Sequence, residues 1–151
     1  EKYRSDAEIE LLDINDFEMP IYSIDREKSG GVHALAKDFY ARIGATDALL
    51  ISFPEYNGSY TSSWKNIYDW MSRIDRKVYQ DKPTVALAAT PGGRAGAGVL
   101  GSVEASAPHF GMDLRATVGI GSWAEAFDSA RGVLVRQQDI EALDAALAKL
   151  G

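Results

Sequence analysis

The 151-residue chain has no cysteine and only two histidines, His33 and His109. Without a thiol there is no disulfide, thiolate nucleophile, zinc ribbon or cysteine-held iron–sulfur cluster. The histidines lie far apart in sequence, so a histidine metal centre would exist only if the fold joined them. Basic charge is also scarce: 16 Lys and Arg against 22 Asp and Glu leave a formal net charge of −6. No block of lysine or arginine gathers along one segment, which argues against a nucleic-acid or anionic-membrane surface. No apolar run reaches membrane-spanning length, so no membrane partner is expected. The absence of cysteine suits a cytoplasmic protein.

Apolar residues make up 46% of the chain and charged residues 25%, an ordinary globular balance in a length that suits one domain, 1–151. Residues 9–14 read as a short strand with partial alternation, followed by a connection through Pro20 and Ser29-Gly30-Gly31. Val32, Leu35, Phe39 and Ile43 then recur at helical spacing with Ala36 and Tyr40 beside them, and Gly44 is the expected stop. Residues 48–53 form a continuous apolar run, the pattern of a strand buried on both faces. The next helix carries Trp64, Ile67, Met71 and Ile74 on one side, with Lys65, Asn66, Asp69, Ser72 and Arg73 on the other. Lys82-Pro83 introduces a strand at 84–89. A Pro91-Gly92-Gly93 turn leads to a helix bearing Val99, Leu100 and Val103, which Pro108 and Gly111 end. A strand at 114–120 and a helix marked by Ile140, Leu143, Leu147 and Leu150 complete the pattern. Strand and helix alternate at roughly 30 residues per unit, which predicts a parallel sheet with helices on both faces.

In open α/β sheets, ligands bind beyond the carboxyl ends of the strands. Two loops reach that edge: residues 54–59 and residues 90–94. Both lead into helices, so their amides and the positive helix ends face whatever arrives. Taken singly, each piece has a plainer use. Pro54 closes a strand, Asn57-Gly58 makes a turn, and Ser59, Thr61 or Ser62 caps a helix. Residues 93–98 only half match a dinucleotide fingerprint. No second acid stands beside Glu55 to make a hydrolytic pair.

Together the segments say more. "PEYNGSYTSSWKNIYDWMSR", residues 54–73, resembles the signature of the NADPH-dependent FMN reductase family, which includes flavodoxin-like quinone, azo-dye and chromate reductases. Pro54, Glu55, Tyr56, Asn57, Ser59, Lys65, Asn66, Asp69 and Trp70 match it. "TPGGRAGAGVLGSVEASAPHFGMDL", residues 90–114, is similar to the family's second flavin loop. Ala126-Phe127-Asp128 and Gly132-Val133-Leu134 are similar to its closing segment. Two features depart from the family: Thr61-Ser62 stand where many members have Pro-Gly, and no Gly-Ser-x-Arg-x-x-Ser phosphate loop is found.

The resemblance implies a flavodoxin-like three-layer sandwich with a parallel sheet of order 2-1-3-4-5. Residues 9–14 would be strand two and residues 48–53 strand three, with strand one between them, so that these two stand roughly 10 Å apart. Residues 1–4 read as the end of a helix, and a strand, phosphate loop and helix are expected upstream. The 151 residues alone would then bind FMN poorly. The implied cofactors are FMN and NAD(P)H. Pro54, Glu55, Tyr56 and Asn57 would lie along the flavin on one side, with Thr90, Pro91, Gly92 and Gly93 on the other. No catalytic side chain is needed, because the flavin carries the chemistry. The implied activity passes hydride from NAD(P)H to a small-molecule acceptor such as a quinone, flavin, azo compound or metal oxyanion. The alternative is a flavin-binding electron carrier or interaction module without NAD(P)H turnover. The aromatic-rich helix shows an apolar arc of roughly 160°, wider than a sheet requires, which predicts a homodimer or homotetramer through this face.

Overall fold

The structure is a computed structural model that describes residues 7–151. The helix end read at residues 1–4 lies outside the described residues. Three strands, β1 (Leu49–Ser52), β2 (Lys82–Ala89) and β3 (Met112–Ile120), form a parallel sheet in the order β1-β2-β3. The register sets Leu50 beside Val85 and Ser52 beside Leu87, and Ala86 beside both Ile51 and Thr117. A bulge at Thr84/Val85 shifts the β2–β3 ladder. Helices α1 (Ile24–Gly30), α2 (Ala34–Ala45), α3 (Ser62–Met71), α4 (Ala97–Ser106), the short α5 (Trp123–Ala126) and α6 (Gln137–Leu147) surround the sheet. A two-stranded hairpin, β4 (Phe127–Asp128) with β5 (Val133–Leu134), lies between α5 and α6. No described helix is long and apolar enough to cross a membrane.

Alternation along β2 divides the core into two. Ala86 and Ala88 face α2, α3 and α4, with Phe39, Trp64, Ile67, Met71, Val99 and Val103 buried against them. Val85 faces the other way and packs with Val118, Ile120, Ala126 and Ala146 under α6. Helices on both faces of a parallel sheet are what the alternating pattern predicts.

Four expectations change. Residues 9–13 are not a strand and pair with nothing in the sheet, and Ile14–Phe17 form a single 3-10 turn. The Asp13 side chain accepts from the Asn15 amide at 2.9 Å and from Asn15 Nδ2 at 2.8 Å. These local bonds bend the chain where a strand would have to run straight. Leu12 and Ile14 still pack on the core, while Leu11 is 92% exposed. Second, β1 is not buried on both faces. Leu50, on the α6 side, is 52% exposed, because α6 packs over β2 and β3 and leaves β1 uncovered among the described residues. Third, α2 runs through Gly44 to Ala45, and Thr46 caps it by donating its amide and hydroxyl to the Ile43 carbonyl at 3.2 and 2.9 Å. A Cβ at residue 44 would sit 2.8 Å from Gln80 Oε1, so the Gln80 side-chain amide, which donates to the Tyr40 carbonyl, would have to shift.

Fourth, the broad apolar face of α3 is used inside the chain. Trp64, Ile67, Trp70 and Met71 are all buried, and residues 17–22 wrap over them. Asn66 accepts from the Tyr22 amide at 2.9 Å and donates to the carbonyls of Met19 and Pro20 at 3.0 and 3.3 Å. Trp70 Nε1 donates to the Pro20 carbonyl at 2.8 Å, and Tyr22 packs edge-on against its ring at a 5.2 Å centroid distance. The surplus that suggested a second copy thus covers the chain's own connection.

Candidate functional site

Beyond the carboxyl ends of β1 and β2 lies a cleft of about 470 Å³ lined by Pro54, Glu55, Tyr56, Ala89, Thr90, Pro91, Gly92, Gly93 and Arg94. Seven of the eight residues expected to hold a ligand from sequence are therefore brought to one place. Asn57 is not among the lining. It occupies the tip of a two-residue turn whose ends, Tyr56 and Ser59, exchange backbone bonds at 3.1 and 3.2 Å. Asn57 and Gly58 both have positive φ, 54° and 77°, the conformation that an Asn-Gly pair adopts most readily in such turns. The first loop therefore leaves β1 and folds back on itself, and Tyr56 is left 65% exposed.

The second loop is fixed from behind. The Gly92 carbonyl accepts from the Thr90 hydroxyl at 3.0 Å, the Ser122 amide at 3.2 Å and the Ala95 amide at 3.4 Å. The Trp123 amide donates to the Thr90 carbonyl at 3.1 Å. Arg136, paired with the buried Asp139 at 2.6 Å, donates to the Gly121 carbonyl at 2.9 Å and so braces the segment under Gly92. With the carbonyls committed, the amides of Gly92, Gly93 and Arg94 donate to no acceptor among the described residues. They are available to a ligand in the cleft.

The glycines show which spaces the protein itself needs. A Cβ at residue 96 would lie 2.3 Å from Ala88 Cβ, at 119 it would lie 2.3 Å from the Ala95 carbonyl, and at 121 it would lie 2.9 Å from the Gly92 carbonyl. Those three glycines are demanded by packing. At Gly92 and Gly93 a Cβ would meet nothing within 4 Å. Their bare backbones leave room in the cleft itself, as close approach of a flat ligand requires. The volume falls in the usual range for small-molecule sites, roughly 300–1,000 Å³. An FMN ring system fits this donor set: unpaired amides, small residues and an aromatic at the rim.

Sequence reading missed where the Glu55 side chain goes. Its Oε2 accepts from the Val99 amide, in the first turn of α4, at 2.9 Å. It also set Asn66 on the polar side of α3 without finding its partners, which lie 44 to 47 residues upstream. No local pattern reports either contact.

The chain matches the model of the NADPH-dependent FMN reductases over residues 1–132. It is 39% identical over 84 residues to an NAD(P)H-dependent FMN reductase of Pseudomonas aeruginosa, covering 56% of this chain and 44% of that protein. It is 36% identical over 89 residues to an NADPH:quinone oxidoreductase of Arabidopsis thaliana, covering 59% and 43%. The matched stretches thus span less than half the length of these two curated relatives. Among solved structures, the flavoenzyme NAD(P)H:(acceptor) oxidoreductase FerB of Paracoccus denitrificans superposes with a TM-score of 0.78 at 25% identity, over 99% of this chain and 82% of that one. The fold is flavodoxin-like, and the chain belongs to the NADPH-dependent FMN reductase family.

Proposed function

We propose that this family member is an FMN-dependent NAD(P)H oxidoreductase that reduces a small-molecule acceptor: a quinone, a free flavin, an azo compound or a metal oxyanion. The observation that carries the reading is the cleft at the strand ends. There two braced loops meet, three backbone amides donate to no acceptor among the described residues, and two glycines leave open space. Pro54, Tyr56 and the Glu55 backbone would hold FMN from one side and Thr90, Pro91, Gly92 and Gly93 from the other, with Asn57 shaping the first loop's turn. When bound, FMN supplies the hydride and electron transfer, so a site without histidine, cysteine or paired acids is sufficient. The residues' own work is to bind and orient, and to present fixed donors where negative charge gathers. Arg94 adds a cation at the rim with no carboxylate partner among the described ion pairs, which favours an anionic ligand.

The edge of β1, unpaired among the described residues, and the exposed Leu50 support a further strand and helix of the same domain beside β1, carrying the phosphate-binding turn. A cytoplasmic setting and a homodimer or homotetramer complete the proposal, the assembly using a surface other than the α3 face that residues 17–22 cover. The test is anaerobic: NADPH added to the full-length flavin-loaded protein should bleach the flavin absorbance within seconds. A flavin that stays oxidised would leave only an electron carrier. If donor and acceptor use the cleft in turn, initial-rate plots at several acceptor concentrations should be parallel. Intersecting lines would mean that both bind together.

A further inference from the structure

Helix α4 begins without a cap of its own. Its N-cap is Gly96, at φ 72°, which offers no side chain. The Val99 amide is instead satisfied by Glu55, 44 residues upstream, at 2.9 Å. A carboxylate suits this place, because the helix dipole and a charged hydrogen bond act in the same direction. Close to it, a Cβ at Gly98 would lie 2.4 Å from the Gly58 carbonyl and 2.9 Å from Glu55 Oε2. The first turn of α4 is therefore pressed against residues 55–58, with no room for a methyl group between them.

The start of α4 is also continuous with the second loop. The Ala97 amide donates to the Arg94 carbonyl at 3.0 Å, and the Ala95 amide donates to the Gly92 carbonyl at 3.4 Å. Whatever seats α4 seats Gly92, Gly93 and Arg94. Among the described residues, the Glu55–Val99 bond is the only hydrogen bond joining residues 54–59 to residues 90–99.

We propose that Glu55 is a positioning residue: its carboxylate latches the first loop to α4 and so sets the width of the cleft, without touching the ligand. The inference rests on the flavin reading above. A cleft that spends time open binds more weakly in proportion to the fraction that is competent. Loss of the latch therefore appears as lost affinity.

Reach and charge can be separated by two conservative changes. Glu55→Asp keeps the charge and loses one methylene of reach, while Glu55→Gln keeps the reach and an acceptor oxygen. In the full-length protein, quenching of FMN fluorescence should show the Kd raised about 10-fold in Glu55→Ala and Glu55→Asp, but less than about 3-fold in Glu55→Gln. In the ligand-free proteins, hydrogen exchange at the Val99 amide should accelerate in the Ala and Asp variants and stay close to wild type in Gln. The reverse order, with Asp near wild type and Gln impaired, would mean that the charge acts on the ligand, and would overturn the latch. Unchanged Val99 protection in all three variants would overturn it as well. A wild-type protein that takes up no FMN would remove the flavin reading. The exchange order would then uphold the latch if Gln protects Val99 better than Asp, and refute it otherwise.

Discussion

Residues 54–59 and residues 65–70 belong to one contiguous signature, yet their side chains meet different surroundings. In the first half Pro54, Glu55 and Tyr56 line the cleft, and Tyr56 is 65% exposed. In the second half Asn66 makes three hydrogen bonds to residues 19–22, and Trp70 is 2% exposed with its ring nitrogen bonded to Pro20. Lys65 and Asp69 pair with each other on the helix surface. The two halves are next to each other in sequence but answer to different constraints. One lines an open cleft, and the other fastens a long connection that has little regular structure of its own. A shared signature is therefore no proof that each of its residues touches the ligand.

The contrast is broken most directly at Trp70. Truncation to alanine removes a buried ring, its Tyr22 contact at 5.2 Å and the Pro20 bond, and should cost about 3–5 kcal/mol of folding stability. Tyr56→Ala, in the exposed half, should cost less than about 0.5 kcal/mol and weaken FMN. Urea unfolding and FMN titration of both variants measure the two quantities side by side. Equal stability losses would erase the division.

Asn66→Ala comes next. It leaves the Tyr22 amide and the Met19 carbonyl without their partner, while the Pro20 carbonyl keeps the Trp70 ring nitrogen, and at these part-buried sites this should cost about 2 kcal/mol. FMN affinity of the folded fraction should fall by less than a factor of about 2, because Asn66 does not line the cleft. A large loss of FMN binding with stability unchanged would move Asn66 into the binding half.

Much of the frame was legible in the sequence, because it is set by local repetition. Phe39 and Ile43, Trp64 and Ile67, and Val99 and Val103 recur at helical spacing, and each pair is buried where its helix meets the sheet. Both loops were legible from the ends of apolar runs. Features that depend on partners far along the chain were not. Residues 9–14 have strand-like residues but no ladder, and Leu50 is apolar but lacks a covering helix. The seven-residue α1 has no buried side chain, so it leaves no apolar stripe to read, and only its Ser23 cap marks it. The lining of the cleft was legible as a set of loops. Its internal bracing, from Glu55 to Val99 and from Arg136 to Gly121, was not.

A smaller effect, of opposite sign, tests the packing behind α3. The Tyr68 hydroxyl is buried with no hydrogen-bond partner among the described residues, although its ring packs edge-on against Phe110 at 4.8 Å. Tyr68→Phe keeps the ring and removes the stranded oxygen, so stability should rise by about 1 kcal/mol. Burial raises the Tyr68 hydroxyl well above its ordinary value of 10.0, and burial raises Tyr60 and Tyr79 in the same direction. The unfolded chain releases these protons near pH 10 and the folded chain later. Their contribution is therefore whole below pH 10 and is lost as pH rises beyond it. Stability measured from pH 8 to 11.5 should fall above 10 in the wild type, and less steeply in Tyr68→Phe. An identical slope in both would mean that the hydroxyl reaches water and titrates alike in the folded and unfolded chain.

The smallest expected effect lies at Asn57, where the division between ligand contact and backbone shape is finest. A buried amide donating to the ring would make Asn57→Ala weaken FMN by about 1–2 kcal/mol, and Asn57→Gly would weaken it equally, since neither keeps the amide. In the structure Asn57 stands at φ 54° on the turn tip, outside the cleft lining. If its task is the turn, alanine pays for a left-handed conformation that glycine adopts freely. Asn57→Gly should then stay within about 0.5 kcal/mol of wild type in both stability and FMN affinity, while Asn57→Ala falls below it in both. Alanine and glycine weakening FMN to the same extent would assign the amide to the ligand and return Asn57 to the binding half of the signature.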